Sequence, residues 1–131
     1  MERDELTLAD VVAIHADVMR RMGATARSLR DEGALESAIM RARMAAYYEE
    51  ADAVRQAALL ALGISQAQAF LDGNKRTALG AMFVFLVHRS LEFRDEPLAV
   101  ARQLEIVAER TGERATAEDA FAAWLRERVA A

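Results

Sequence analysis

The stretch Gln68-Ala69-Phe70-Leu71-Asp72-Gly73-Asn74-Lys75-Arg76-Thr77-Ala78 constrains this chain more than any other part of it. It sets charged and turn-forming residues between two strongly apolar segments, residues 57–64 and 79–86. Burying such groups between core helices is costly unless they are partnered or used. Read locally, the stretch is the end of one helix, a tight turn and the start of another. Asp72-Gly73 is a turn signal, since Gly takes positive φ without a Cβ penalty. Asn74 can then cap the helix that follows. The first turn of a helix leaves backbone N–H groups unpaired and carries the positive end of the macrodipole, which makes it an anion site. Lys75 and Arg76 add positive charge at that end, where the dipole alone prefers acids. A bound phosphate would reverse that sign. Asp72 is the only carboxylate of the stretch, and a hard oxygen ligand beside phosphates is how Mg²⁺ is usually held. The competing reading is a helix-turn-helix corner whose Lys75 and Arg76 point to water.

The flanking sequence is helical. Thr7 with Asp10 forms an approximate capping box. Leu8, Val11, Val12, His15, Val18, Met19 and Met22 then recur at helical spacing until Gly23 ends the helix. His15 lies on or beside that stripe, where a lone histidine is more often packed or hydrogen-bonded than catalytic. Residues 24–28 read as loop. A second helix is expected over residues 32–43, with Asp31 and Glu32 at its start and Arg41 and Arg43 at its end. Residues 45–50 are ambiguous between helix and exposed loop. A third helix, residues 51–66, is rich in Ala and Leu and delivers Gln68 and Phe70 to the central stretch. Phe70 reads as an anchor that fixes the turn from beneath.

The fourth helix, residues 74–89, is apolar almost all round and so belongs at the centre of a bundle. That places the candidate anion site on the most rigid element available. His88 lies more than three turns from Asn74, roughly 20 Å away at about 1.5 Å per residue. The helix dipole accounts for a His at that end. Leu91-Glu92-Phe93 is a short extended candidate. Pro97 opens a fifth helix over residues 96–111, closed by Gly112. Thr116 with Asp119 caps a sixth over residues 117–129, whose inner stripe is Phe121, Trp124, Leu125 and Val129. Trp124 reads as a core filler.

Composition narrows the function. At 131 residues the chain is expected to form one domain, residues 1–131, with a sizeable core. One Pro and six Gly, against abundant Ala, Leu, Glu and Arg, favour helix throughout. With no cysteine, disulfides and Cys-ligated metals are excluded, and a cytoplasmic setting fits. A net charge of −4 with mixed signs gives no support to bulk nucleic-acid binding. The charged opening Met1-Glu2-Arg3-Asp4-Glu5 has no apolar run behind it, so no signal peptide is expected. The longest apolar run, residues 78–87, is far short of a bilayer span, and no membrane association is expected.

The central stretch resembles the signature of the Fic/Doc (Fido) superfamily, His-x-Phe-x-Asp/Glu-Gly/Ala-Asn-Gly/Lys-Arg. Phe70, Asp72, Gly73, Asn74, Lys75 and Arg76 match it in type and spacing. Lys75 and the following Thr77-Ala78 look like the Doc (death-on-curing) branch. The Fic branch often has Gly at the position of Lys75 and a second Arg where this chain has Leu79. The segments 6–15 and 29–38 look like the opening and second helices of Doc, so the resemblance covers most of residues 6–95. It implies an all-α bundle of about six helices, with at most a short β-hairpin or flap.

The resemblance also implies roles. Gly73, Asn74 and Lys75 would cradle phosphate oxygens of ATP or another nucleoside triphosphate. Arg76 would neutralise charge developing in transfer, and Asp72 would hold Mg²⁺. Tyr47 and Tyr48 could belong to a flap that docks the target, or could simply cover the core edge. Doc proteins look to transfer the terminal phosphate of ATP to a threonine of elongation factor Tu. They are toxins held by an antitoxin partner (Phd-like) whose C-terminal segment folds onto them. Fic proteins transfer the nucleotidyl moiety instead. One departure stands out: where the family has its catalytic His, this chain has Gln68. Gln can orient a hydroxyl but cannot accept its proton at neutral pH. The expectations are therefore a Doc-like kinase impaired at one position, a catalytically dead binding module, or a Fic-type nucleotidyltransferase.

Overall fold

The computed structural model describes residues 5–26, 29–109 and 113–131. Thr7 starts the first helix as expected. Its hydroxyl accepts from the Asp10 N–H at 3.2 Å, and the Asp10 carboxylate accepts from the Thr7 N–H at 2.9 Å. The resulting helix α1 spans Leu8–Arg21. It is followed by α2 (Glu32–Tyr48), α3 (Ala53–Ala67), α4 (Asn74–His88), β1 (Glu92–Phe93), α5 (Pro97–Glu109), α6 (Arg114–Arg126) and β2 (Val129–Ala130). Among the described residues the architecture is all-α, with six helices and one two-residue strand pair. No helix among them is long and apolar enough to cross a membrane.

Several boundaries differ from the sequence expectation, each for a local reason. Helix α2 runs on through residues 45–48, because nothing breaks it before Glu49 and Glu50, the latter at φ 54°. No flap forms there. Helix α6 begins at Arg114, ahead of the Thr116-x-x-Asp119 pattern. Glu113 is its extended N-cap, and the Thr116 N–H already bonds the Glu113 carbonyl at 3.1 Å. Val129 leaves the expected sixth helix. With Ala130 it pairs antiparallel to β1, in the register Glu92 with Ala130 and Phe93 with Val129. Gly112, expected to close α5, lies outside the described residues.

The centre of the bundle is α3 rather than α4. Residues 56–62, together with Ile64 and Ser65, are all buried, so α3 is covered by α2, α4, α5 and α6. Its alanines make this possible, since small side chains let neighbouring helices approach closely. The approach to α2 is tight at Gly63, where an added Cβ would lie 3.1 Å from the Ala38 Cβ. Helix α4 buries one face, with Ala78, Ala81, Met82, Phe85 and Leu86, and leaves Val87 exposed. At its far end Phe83, Phe93, Trp124 and Phe121 form a chain of ring contacts with centroids 5.5–6.1 Å apart.

Ion pairs join the periphery. The Arg41 guanidinium of α2 reaches the buried Glu118 of α6 at 2.7 Å and also pairs with Glu49. These carboxylates, Glu118 foremost, drive the Arg41 pKa further up from an already high value. Asp52, the N-cap of α3, accepts from the Arg55 N–H at 2.9 Å. It also holds Arg126 of α6 bidentately at 2.6 and 3.1 Å.

The close approach at Gly63 can be tested directly. Gly63→Val should lower unfolding free energy by about 2–3 kcal/mol, within the usual range for overpacking. Ala38→Gly in the same chain should recover part of that loss. Urea denaturation of the variants measures both. The Asp52 pair generates a pH dependence. Its hydrogen bond with Arg126 holds the Asp52 carboxyl below its ordinary value. The folded state therefore binds that proton less tightly than the unfolded state. The stabilisation is full above the unfolded value of about 4 and is lost as pH falls through the folded one. Asp52→Asn keeps a capping oxygen and removes the charge. The variant should be less stable at pH 7 by at most about 1 kcal/mol, since the pair is half-exposed. That difference should close as pH falls below about 4 and through the lowered folded-state value.

Candidate functional site

The site is a turn between α3 and α4 that is held from beneath and open above. Gln68 is the C-cap of α3 and takes the left-handed conformation at φ 52°. Its side-chain Nε2 donates back to the Ser65 carbonyl at 3.0 Å. The chain then dips inward: Ala69 and Phe70 are buried. Leu71 and Asp72 return to the surface. Gly73, left-handed at φ 80°, is the N-cap of α4. A Cβ there would be strained by φ and would sit 3.0 Å from the Met19 Sδ.

Asn74 does not cap α4. Its buried carboxamide closes a two-way clamp on Phe70 instead. Oδ1 accepts from the Phe70 N–H at 3.1 Å, and Nδ2 donates to the Phe70 carbonyl at 2.9 Å. The expected cap does not form because the Phe70 backbone, one turn back, engages both ends of the amide. Any phosphate contact from Asn74 is thus left to its backbone N–H. His15 supports the same turn from α1. Its ring stacks on Phe70 at 3.7 Å with 9° between planes, and its Nε2–H donates to the Asp72 carbonyl at 2.9 Å. A carbonyl only accepts, so Nε2 carries the proton. His15 is a buried strut.

The exposed side of the turn carries the charge. The first turn of α4 has no acidic residue and no side-chain cap. Its first intrahelical bond runs from the Thr77 N–H to the Gly73 carbonyl at 2.9 Å. The N–H groups of Asn74, Lys75 and Arg76 precede that bond, with the positive end of the dipole behind them. Arg76 is exposed and makes no hydrogen bond or ion pair among the described residues. Lys75 reaches Glu105 of α5 at 3.3 Å. Both ends of that pair are about half-exposed, so it is worth little and is easily exchanged for another anion. Asp72 Oδ1 accepts from the Gly73 N–H at 2.8 Å. The carboxylate is exposed, and among the described residues its Oδ2 makes no hydrogen bond. A cavity of about 350 Å³ opens beside it, lined by His15, Met19, Ala24, Thr25, Leu71 and Asp72.

The structure thus gathers Gln68, Phe70, Asp72, Gly73, Asn74, Lys75 and Arg76 around one turn. It does not bring Tyr47 and Tyr48 to them. Both are exposed on the last turn of α2, at 68% and 82%. That helix begins beside the turn, and its 17 residues carry its far end roughly 25 Å along the axis. The tyrosines therefore neither line the site nor cover the core. His88 is exposed at the far end of α4. Two contributors escape a reading of the sequence: Met19, which limits position 73, and Arg30, which bonds the Gln68 carbonyl at 2.5 Å. The inward spacing of Met19 on α1 is a signal for the first; nothing in the sequence signals the second.

Fold and site together define an all-α protein with a basic, acid-free helix start at a turn supported by buried struts. The model of the Fic/DOC family matches residues 5–86, and the chain belongs to that family. The match takes in α1 to α3, the turn and nearly all of α4, while α5, α6 and the strand pair lie beyond it. No curated protein matched the chain.

The Asn74 clamp has a measurable consequence. Asn74→Ala strands a buried N–H and a buried carbonyl of Phe70. It should lower stability by about 2–6 kcal/mol, at roughly 1–3 per stranded group. Chemical denaturation checks the magnitude. An unaltered midpoint would show that the turn holds without the clamp.

Proposed function

We propose that this chain is a Doc-like member of the family. It would bind a nucleoside triphosphate with Mg²⁺ and direct the terminal phosphoryl group to a protein hydroxyl, with transfer impaired by Gln68. The observation that carries this reading is the first turn of α4, free of acids, bearing an Arg76 that is unpaired among the described residues and standing beside an exposed Asp72. The backbone N–H groups of residues 74–76 suit phosphate oxygens. Among the described residues no cluster of three or more metal-ligating side chains exists. A single carboxylate still fits Mg²⁺, which keeps waters and takes other ligands from phosphates. Asp72 would hold the ion, which when bound neutralises phosphate charge. Lys75, and Leu79 where a second Arg would stand, favour the orientation that delivers the terminal phosphate.

Transfer forms a bond from the hydroxyl oxygen to the γ-phosphorus and breaks the bond to the bridging oxygen, with the nucleoside diphosphate leaving. The hydroxyl proton must also leave. Gln68 cannot take it, and a positioned base contributes about 10²–10⁴-fold. Phosphoryl transfer has a loose transition state in which positioning and charge neutralisation dominate, so nucleotide binding survives the loss. In the family resemblance the target is a threonine of elongation factor Tu, and the partner a Phd-like antitoxin; cytoplasmic residence suits both. A second reading, a non-catalytic module acting through an antitoxin or other protein, is favoured by the Gln68 amide being turned back onto Ser65.

The test compares the chain with its Gln68→His variant, each incubated with Mg²⁺, elongation factor Tu and ATP labelled at the α- or γ-phosphate. Both proteins should bind Mg-ATP with similar Kd. The variant should transfer γ-label at least about 100-fold faster, the low end of a base contribution. Transfer of α-label would assign the nucleotidyl reaction. No transfer by either protein would sink the kinase reading for this target and favour the binding module.

A further inference from the structure

We propose that Arg30 is a positioning residue for position 68, acting through the backbone rather than on substrate. The proposal rests on the reading of this turn as a transfer site. Three donors from two consecutive residues converge on two consecutive carbonyls at the end of α3. Arg30 Nη2 donates to the Gln68 carbonyl at 2.5 Å. The Arg30 and Asp31 N–H groups both donate to the Ala69 carbonyl, at 2.8 and 3.2 Å. Carbonyls at a helix C-terminus lack intrahelical partners, and a cation beside them meets the negative end of the dipole. Asp31 is in turn fixed as the N-cap of α2, accepting from the Ala34 N–H at 3.0 Å. The start of α2 therefore grips the end of α3 at the residue where the motif begins.

The grip matters because Gln68 is not glycine. A side chain at φ 52° is strained and persists only where the surroundings over-determine it. Inside the turn, Asn74 holds Phe70. Outside it, Arg30 is the one side chain among the described residues that bonds the Gln68 backbone. Once that bond is lost, residue 68 can relax in φ, and its side chain swings away from the acceptor position. Reaction geometry tolerates displacements of about 1 Å poorly. Arg30 thus sets where the group at position 68 points, while the anion cradle at α4 is left intact.

The test uses Gln68→His as the active background, with Arg30→Ala and Arg30→Lys added to it. With Arg30→Ala, kcat for γ-label transfer should fall at least about tenfold, as expected for a misplaced reacting group. The KM for ATP should stay within about twofold, because the cradle is untouched. Arg30→Lys, which keeps a cation near the carbonyl, should recover part of kcat. An unchanged kcat would overturn the proposal. So would a fall in kcat accompanied by a matching rise in KM and a drop in Tm, which would mark general unfolding. A second measurement needs no activity: amide hydrogen exchange at residues 30 and 31 in the chain that carries Gln68. Arg30→Ala should speed it about tenfold while α4 amides stay protected, the pattern of a local opening. If Gln68→His transfers nothing, the kinase reading fails by itself and exchange alone decides. Faster exchange upholds the clamp on position 68, and unchanged exchange overturns it.

Discussion

The paired hydrogen bonds between the Asn74 carboxamide and the Phe70 backbone hold the rest of the site in place. They lie in the interior, where water cannot substitute for a lost partner and an unmade bond keeps its full cost. Phe70 is thereby fixed as a plate on which His15 stacks, and His15 in turn pins the Asp72 carbonyl. Phe70, Asn74 and His15 are buried, whereas Gln68, Leu71, Asp72, Lys75 and Arg76 are exposed. The turn is therefore a rigid inner layer with an adaptable outer one, as a preorganised site requires.

The frame depends on how closely the helices approach. At Gly80 of α4 an added Cβ would lie 2.9 Å from the Cγ2 of Ile14 on α1. Gly63 of α3 meets Ala38 of α2 in a similar way. These contacts set the spacing of α1 and α2 against the α3–α4 pair. Through that spacing they decide whether His15 reaches Asp72 and whether residues 30 and 31 reach Ala69. The run of small residues in α3 is thus what allows several helices to converge on one turn.

The helices are legible in periodicity and capping, because both are local. Thr7 with Asp10, the apolar residues 78–87 and Pro97 each act within about a turn of themselves. Much that is not legible is a long-range choice. Nothing near Val129 says that it pairs with Phe93, and nothing near Asn74 says that its amide turns back to Phe70 instead of capping α4. The Thr116-x-x-Asp119 pattern is a capping signature that the extended Glu113 pre-empts. Of the site, the charged outer residues stand together in sequence and are legible as a set. The supports on α1 and at the start of α2 come from distant segments, and only the packing of the helices brings them there.

On the proposed reading, the charge at the start of α4 would separate binding from chemistry. An acid-free first turn that also carries Lys75 and Arg76 works against its own dipole, by about 0.3–1 kcal/mol for each cation. Lys75 gains partial relief from Glu105 across the gap to α5. Arg76 has no such relief among the described residues. A bound polyanion turns that local cost into an attraction. Gln68 alters nothing in this balance, because it sits at the end of α3 and carries no charge. Only interactions stronger in the transition state than in the ground state accelerate a reaction. On the proposed reading, an uncharged amide at position 68 would remove proton acceptance and leave ground-state affinity for an anion where the α4 N-terminus puts it. The two properties would then rest on different helices and could be lost one at a time.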